Sequence, residues 1–371
     1  MSGTHPGPAR RSDRDLRIPG PTPLPPAVRR ALATPMINHR GPEFAVLLSD
    51  LTVRVQRVLR TEHNVLIFPG SGTGGLEASL VNTLSPGDRV LAVTIGAFGD
   101  RYAEIAQSFG LAVERYAVEW GQAADPGEVR SRLQAMPAAR AVLVTHNETS
   151  TGVTNDLPAI AAVVREQSDA LLLVDGVSSL AALPFAMDEL GIDVIVTGSQ
   201  KAWMVPPSLL LVGVGPRAWR ATGIAQLPRY YWDFKAQRDA QSRGQTPYTP
   251  PLTQMFALQA ALDLIEAEGL EAVYERHRQV GGYTRRGLVG LGFTLAADPE
   301  HASNTVTAVR PPVGIRAPEL LQRLRERHGI VLARGQGRWA DEVLRVGHLG
   351  WVNKASIRRV VRALALELDD G

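Results

Sequence analysis

Leu171-Leu172-Leu173-Val174-Asp175-Gly176, answered further on by Ile192-Asp193-Val194-Ile195-Val196 and then Thr197-Gly198-Ser199-Gln200-Lys201, is the stretch that decides the fold. The first apolar run stops abruptly on Asp175. A short continuous run bounded by a charge and a glycine predicts a strand buried on both faces. If the two runs lie parallel in one sheet, their carboxyl ends share a rim, and Asp175 and Lys201 face one crevice. Open α/β sheets bind their ligands at such a rim.

An acid and a lysine placed in this way suit pyridoxal phosphate. The lysine joins the aldehyde as a Schiff base, and the acid pairs with the ring nitrogen, which then serves as an electron sink. The two residues alone also fit a blander reading, an Asp capping a turn and a solvated Lys.

Outward from this stretch the same unit repeats. Asn64–Phe68 predicts a strand that runs into Pro69-Gly70-Ser71-Gly72-Thr73-Gly74-Gly75, followed by a helix over 76–84. A glycine-rich turn from strand to helix offers free N–H groups and the positive helix end to an anion, and Ser71 and Thr73 add hydroxyls. The P-loop pattern fails here, because no Gly-Lys-Ser/Thr follows. Gly70, Gly72 and Gly75 do match the dinucleotide spacing. The acid that this fingerprint wants about twenty residues on is missing, since Asp88 precedes the next strand, 89–93. A nicotinamide oxidoreductase is thus a weakened alternative. That strand ends just before Phe98, expected in a Gly-flanked loop on the ligand rim, a ring that either stacks on a flat cofactor or fills the core. Strand 141–144 ends in Thr145-His146-Asn147-Glu148-Thr149-Ser150-Thr151-Gly152, either a bonded turn or a set of donors to a cofactor oxygen. Alternation of strand, turn and helix from 64 to 201 predicts a mostly parallel doubly wound sheet.

The flanks change texture. Residues 1–17 read as a flexible polar tail, and Ile18 to Pro26 as a proline-stiffened arm that cannot be helical. After strand 208–214 comes an aromatic- and Arg-rich irregular stretch, 228–251, of a length that points to function. Helices 253–268 and 271–291 follow. Strands 304–309, 329–332 and 343–346 then alternate with helices 318–328 and 353–368, which predicts a small α+β domain over 271–371 beside a large one over 18–270.

Composition removes several classes. The 371 residues are 44% hydrophobic, enough for a sizeable core, and include no cysteine, so no disulfide, thiolate nucleophile or Cys-ligated metal is expected. His39 has no partner at ligand spacing, and no metal site is expected. The net charge of +3 comes from scattered arginines, so no nucleic-acid partner is expected. With no secretory h-region and no run of about 18 apolar residues, neither a signal nor a membrane span is expected, and the cytoplasm is the default location.

Taken together, LLLVDGVSSL, Ser199-Gln200-Lys201, the GSGTG turn, THNETSTG, TPYTPP and Leu344-Arg345-Val346-Gly347 resemble class V aminotransferases of fold-type I, the alanine–glyoxylate, serine–glyoxylate and serine–pyruvate group. The resemblance runs from Pro19 to about Leu368. It implies a seven-stranded, mostly parallel sheet, pyridoxal 5'-phosphate as cofactor, and Lys201 and Asp175 as its Schiff-base lysine and ring-nitrogen partner. It further implies Ser71, Gly72, Thr73 and Gln200 around the phosphate, Phe98 on the ring face and Thr149 on the phenolic oxygen. Thr249, with Thr246, would reach the phosphate of a neighbouring subunit in a homodimer. Arg345 would hold the substrate carboxylate, and the arm at Gly20 would lie over the partner subunit near the substrate. The implied reaction is amino transfer between a small α-amino acid (alanine or serine type) and a 2-oxo acid, glyoxylate or pyruvate. A lyase on the same scaffold is the alternative; a cysteine desulfurase is excluded by the absence of Cys. His348, where relatives carry an apolar residue, and Arg334 and Arg338 leave the substrate side chain open. An inward arginine would suit a second carboxylate.

Overall fold

The structure, a computed structural model, describes residues 14–369. Its strands in chain order are β1 (Asp15–Arg17), β2 (Asn64–Pro69), β3 (Arg89–Thr94), β4 (Ala112–Ala117), β5 (Ala139–Thr145), β6 (Asn147–Glu148), β7 (Val153–Thr154), β8 (Leu171–Asp175), β9 (Val194–Gly198), β10 (Leu209–Val214), β11 (Thr294–Leu295), β12 (Val306–Arg310), β13 (Ile330–Arg334) and β14 (Leu344–Gly347). A seven-stranded sheet runs in the order β2-β10-β9-β8-β5-β3-β4. Only β10 is antiparallel to its neighbours, so the expected mostly parallel α/β sheet is present.

The continuous apolar strands follow from helices on both faces. Side chains alternate across a sheet, and in β8 Leu171 and Leu173 enter one core while Leu172 and Val174 enter the other. One core packs helices Pro42–Leu59, Leu157–Gln167 and Leu252–Glu268; the other packs Gly72–Val81, Ala97–Ser108 and Pro216–Thr222. Each such fully buried Leu or Val contributes roughly 1.5–3 kcal/mol. In β8–β9 the parallel register pairs Asp175 with Val196, so Asp175 and the chain after Gly198 emerge on one rim.

The irregular stretch expected over 228–251 contains a helix, Phe234–Gln241. Its segment FKAQRDAQ shows no apolar stripe because its inward face is largely amide. Gln241 Oε1 accepts from Ile67 N at 2.9 Å, and Gln241 Nε2 donates to Val65 O at 3.0 Å. Gln237 Nε2 donates to Ile67 O at 2.9 Å. Two glutamines thereby satisfy the open edge of β2, which is otherwise prone to pair with another chain.

A five-stranded sheet, β1-β13-β14-β12-β11, forms the smaller unit over helices Leu270–Val289, Ala317–Arg327 and Lys354–Asp369. The flexible tail expected over residues 1–17 needs correction at its end. Its first 13 residues lie outside the described ones, but Asp15–Arg17 pairs in parallel with β13. One apolar residue in three gave no strand signal; the free edge of β13 supplies the pairing. Among the described residues no helix is long and apolar enough to cross a membrane.

Candidate active site

Three strand ends and two helix starts enclose a cleft lined by Ser71, Gly72, Thr73, Phe98, Arg101, Asn147, Thr149, Asp175, Val177, Gln200 and Lys201 among others. Eight of the residues singled out from the sequence meet here: Ser71, Gly72, Thr73, Phe98, Thr149, Asp175, Gln200 and Lys201.

Asp175 ends β8 and is 5% exposed. Its Oδ1 accepts from Val177 N at 2.9 Å, and no donor among the described residues meets Oδ2. Burial pushes its carboxyl up to about 7, and the buried Glu148 adds to the rise, while Val177 N–H, Lys201 and Arg101 pull it back. A cation seated in the cleft would restore its charge. Lys201 follows β9, and burial lowers its ammonium to about 8. Asp175 and Glu148 oppose that shift; Arg345 and Arg101 reinforce it.

The helix Gly72–Val81 opens into the cleft with Ser71 at its N-cap, and no side chain caps it. Its first N–H groups are therefore free for an anion. Gln200 lines the same corner with a buried Oε1 that has no partner. Exchanging the two ends of this amide would turn donors to an anion instead. An uncapped helix start, hydroxyls at Ser71 and Thr73, a lysine of lowered pKa and an acid with no direct ion pair among the described residues together fit pyridoxal phosphate.

Phe98 is not in a loop, as expected, but in the first turn of helix Ala97–Ser108. Its position is set by Glu148, which sequence reading noted only as part of a polar cluster. Glu148 is fully buried at the end of β6, three residues after β5. Its Oε2 accepts from Phe98 N (2.9 Å) and Gly99 N (3.1 Å), and its Oε1 from Ser150 N (2.9 Å) and Ser150 Oγ (2.7 Å). Burial pushes this carboxyl up, and those four bonds pull it down. Glu148 thus caps a helix from 50 residues away in sequence. Arg101 was also missed. One turn after Phe98, its guanidinium stacks 4.9 Å over that ring and makes no hydrogen bond or ion pair among the described residues. Its spacing of three from Phe98 on a helix was the available signal.

Arg345 is 7% exposed in β14. Its Nε donates to Arg334 O at 2.9 Å; its Nη1 donates to Thr149 O and to Gln336 Oε1, both at 3.0 Å. Nη2 has no partner among the described residues, and burial lowers the guanidinium to about 10. Through Thr149 the arginine abuts the cleft wall. Arg334 turns instead to Ala340 O and Asp341, and Arg338 stacks on Trp120. His348 is fully buried: Nδ1–H donates to Asn304 O, and Nε2 meets Thr307 Oγ1. Burial drives it down to about 3, leaving it a neutral structural group. None of these three lines the cleft.

The arm, expected over a partner subunit near the substrate, lies over its own chain's Lys201. With β1 anchored to β13, five residues suffice to carry the chain past Gly347 to Lys201. Thr22 N donates to Gln200 O, Thr22 Oγ1 to Lys201 O, and Lys201 Nζ to Pro19 O at 2.9 Å. Gly20 has φ +135, and a Cβ there would fall 2.6 Å from Lys201 Cδ, so only glycine fits. Thr246 and Thr249 do not reach this cleft. Thr246 Oγ1 donates to Tyr248 O, and Thr249 is exposed.

Comparisons with known proteins agree with this arrangement. The family model described as aminotransferase class-V matches residues 28–339. A relative from Anabaena cylindrica, named as a soluble hydrogenase 42 kDa subunit, is 43% identical over 355 residues, covering 95% of this chain and 92% of that protein. An L-aspartate–glyoxylate aminotransferase from Paracoccus denitrificans is 40% identical over 349 residues, covering 93% and 88%. The solved structure of alanine–glyoxylate aminotransferase from Nostoc sp. superposes with a TM-score of 0.92 at 29% identity, covering 99% of this chain and 97% of that one. With the lysine, the acid and the uncapped helix gathered at the rim of a seven-stranded sheet, this chain belongs to the class-V aminotransferases.

Proposed function

We propose that this aminotransferase moves an amino group from a small α-amino acid, of alanine or serine type, to glyoxylate or pyruvate. The carrying observation is that Lys201 and Asp175 share one cleft whose wall, at Thr149, is bonded to Arg345. A small donor is supported by the arm, since Pro19 and Gly20 rest directly on Lys201 and limit the space above it.

When bound, pyridoxal phosphate supplies an aldehyde carbon for the amino group and a protonated ring that takes up the electron pair of the broken Cα–H bond. The helix start at Gly72, with Ser71, Thr73 and Gln200, holds the phosphate. Asp175, once ionised, keeps the ring nitrogen protonated. Phe98 covers one ring face, and Thr149 takes the phenolic oxygen. Arg345 fixes the α-carboxylate, which donor and acceptor share. Lys201 Nζ takes the Cα proton and later returns it; with its ammonium near 8, both protonation states are accessible close to neutral pH. Pro19 O gives the free amine a hydrogen-bond partner, and the arm keeps water off it.

A second reading, a donor with two carboxylates, is favoured by Arg101, whose guanidinium stands unpaired in the cleft, and by the name of the Paracoccus relative. A half-reaction screen separates the two. Mixing the loaded enzyme with single amino acids and following the cofactor's visible band, alanine or serine should bleach it faster than aspartate. Faster bleaching by aspartate assigns Arg101 to the substrate. A hydrogenase subunit role, after the Anabaena relative's name, predicts a protein inert in the whole screen.

Thr246 and Thr249 support a homodimer in which each serves the other subunit's phosphate, since neither reaches its own cleft. Lys201→Ala and Thr249→Ala chains, each impaired alone, should recover about a quarter of wild-type activity on random reassociation, because half the dimers would hold one intact site. Mixed dimers no more active than the two parents would overturn the shared site.

A further inference from the structure

Arg345 owes its orientation to a segment that the larger unit grips from outside the cleft. Two of its three hydrogen-bond acceptors, Arg334 O and Gln336 Oε1, lie on the chain leaving β13. That chain turns back at once through the short helix Gly337–Trp339, closed by Gly335 N to Val343 O at 2.7 Å and Trp339 N to Gln336 O at 3.0 Å. Against this turn stands Trp120, from the loop after β4. Its ring meets Trp339 edge-on, with centroids 5.3 Å apart at 89°. Arg338 stacks 4.8 Å over Trp120, and Arg310 stacks 4.7 Å over Trp339, so four side chains alternate as Arg-Trp-Trp-Arg across the two units. Gly337, at φ +50, lets the ring approach; a Cβ there would lie 2.8 Å from Trp120 Cη2.

We infer that Trp120 is a positioning residue for the substrate-carboxylate anchor: by clamping Gly337–Trp339 it holds Gln336 and Arg334 O where they orient Arg345. This rests on the reading of Arg345 as that anchor. Trp120 touches neither the cleft nor Arg345, so its effect passes through the turn. Nothing in the clamp touches the phosphate cradle, Asp175 or Lys201.

The test measures KM and kcat for donor and acceptor, and cofactor dissociation, in Trp120→Ala and Trp120→Phe, with wild-type and Arg345→Ala backgrounds. Losing an aromatic pair and a stacked cation should raise both KM values about tenfold, with kcat and cofactor affinity little changed. Trp120→Phe should restore most of the loss. In the Arg345→Ala background, Trp120→Ala should add almost nothing. If Trp120→Ala folds poorly, Gly337→Ala presses on the same ring from the other side and should raise both KM values too. A thermal shift with unchanged KM, or an undiminished effect without Arg345, overturns the positioning role and leaves the anchor standing. If Arg345→Ala itself leaves both KM values unaltered, the anchor reading fails, and the role of Trp120 fails with it.

Discussion

Replacing Lys201 with Ala is expected to lower turnover by about four orders of magnitude, because in the proposed reaction the group removed is both the covalent tether and the proton carrier, and general acid–base catalysis alone contributes roughly 10²–10⁴-fold. Lys201→Arg should fare no better, since a guanidinium keeps its charge and cannot accept the Cα proton. Both variants should retain cofactor through the Gly72 helix start and Asp175, though without a covalent bond. Borohydride reduction of the loaded wild type, followed by peptide mapping, checks the tether directly. The chain has only three lysines, and the other two, Lys235 and Lys354, are exposed. A small amine such as methylamine should partly restore Lys201→Ala, because Pro19 O would receive it in the emptied volume. A reduced adduct on Lys235 or Lys354 would end the assignment of Lys201.

That lysine was legible from sequence because of the sheet. Strands covered on both faces read as unbroken apolar runs, and the polar residue ending each run marks the ligand rim. Asp175, Thr149 and Lys201 were visible for this reason. Glu148 lies on the same rim, yet its task was hidden, since it caps a helix begun about 50 residues earlier and such partners appear only once strands β3 and β5 are paired. Arg101 was hidden differently. An arginine on an amphipathic helix usually faces solvent, and only the turn from Phe98 brings this one inward. The arm shows a third limit. Its proline run excluded a helix, but its course over its own Lys201 depends on β1 joining β13, a pairing with almost no hydrophobic pattern behind it. Gln237 and Gln241 sealing β2 belong with it, because amide contacts to an edge strand leave no periodic trace in the sequence.

Arg345→Ala is expected to weaken donor and acceptor alike by about two orders of magnitude, since truncating one partner of a desolvated charge pair costs roughly 2–5 kcal/mol. Each α-amino acid and each 2-oxo acid brings one carboxylate, so a single fixed fork serves both half-reactions. Arg345 would be that fork: two of its nitrogens are engaged by Arg334 O, Gln336 Oε1 and Thr149 O, and Nη2 is unpartnered among the described residues. A side chain held in this way loses little freedom on binding, which is the advantage of arginine over lysine at a carboxylate site. Arg345→Lys should therefore recover only part of the loss: it keeps a cation but has neither the planar geometry nor the reach to bond all three acceptors. Cofactor affinity and the visible band should survive in both variants, because the proposed phosphate cradle is on a separate element, the helix Gly72–Val81. Burial holds the Arg345 guanidinium down to about 10, still well above neutrality, so substrate affinity should stay flat from pH 6 to 8 on its account. Measuring both half-reactions separately decides the matter. A loss confined to one of them, or absent from both, would pass the carboxylate to Arg101, whose side chain lines the cleft itself.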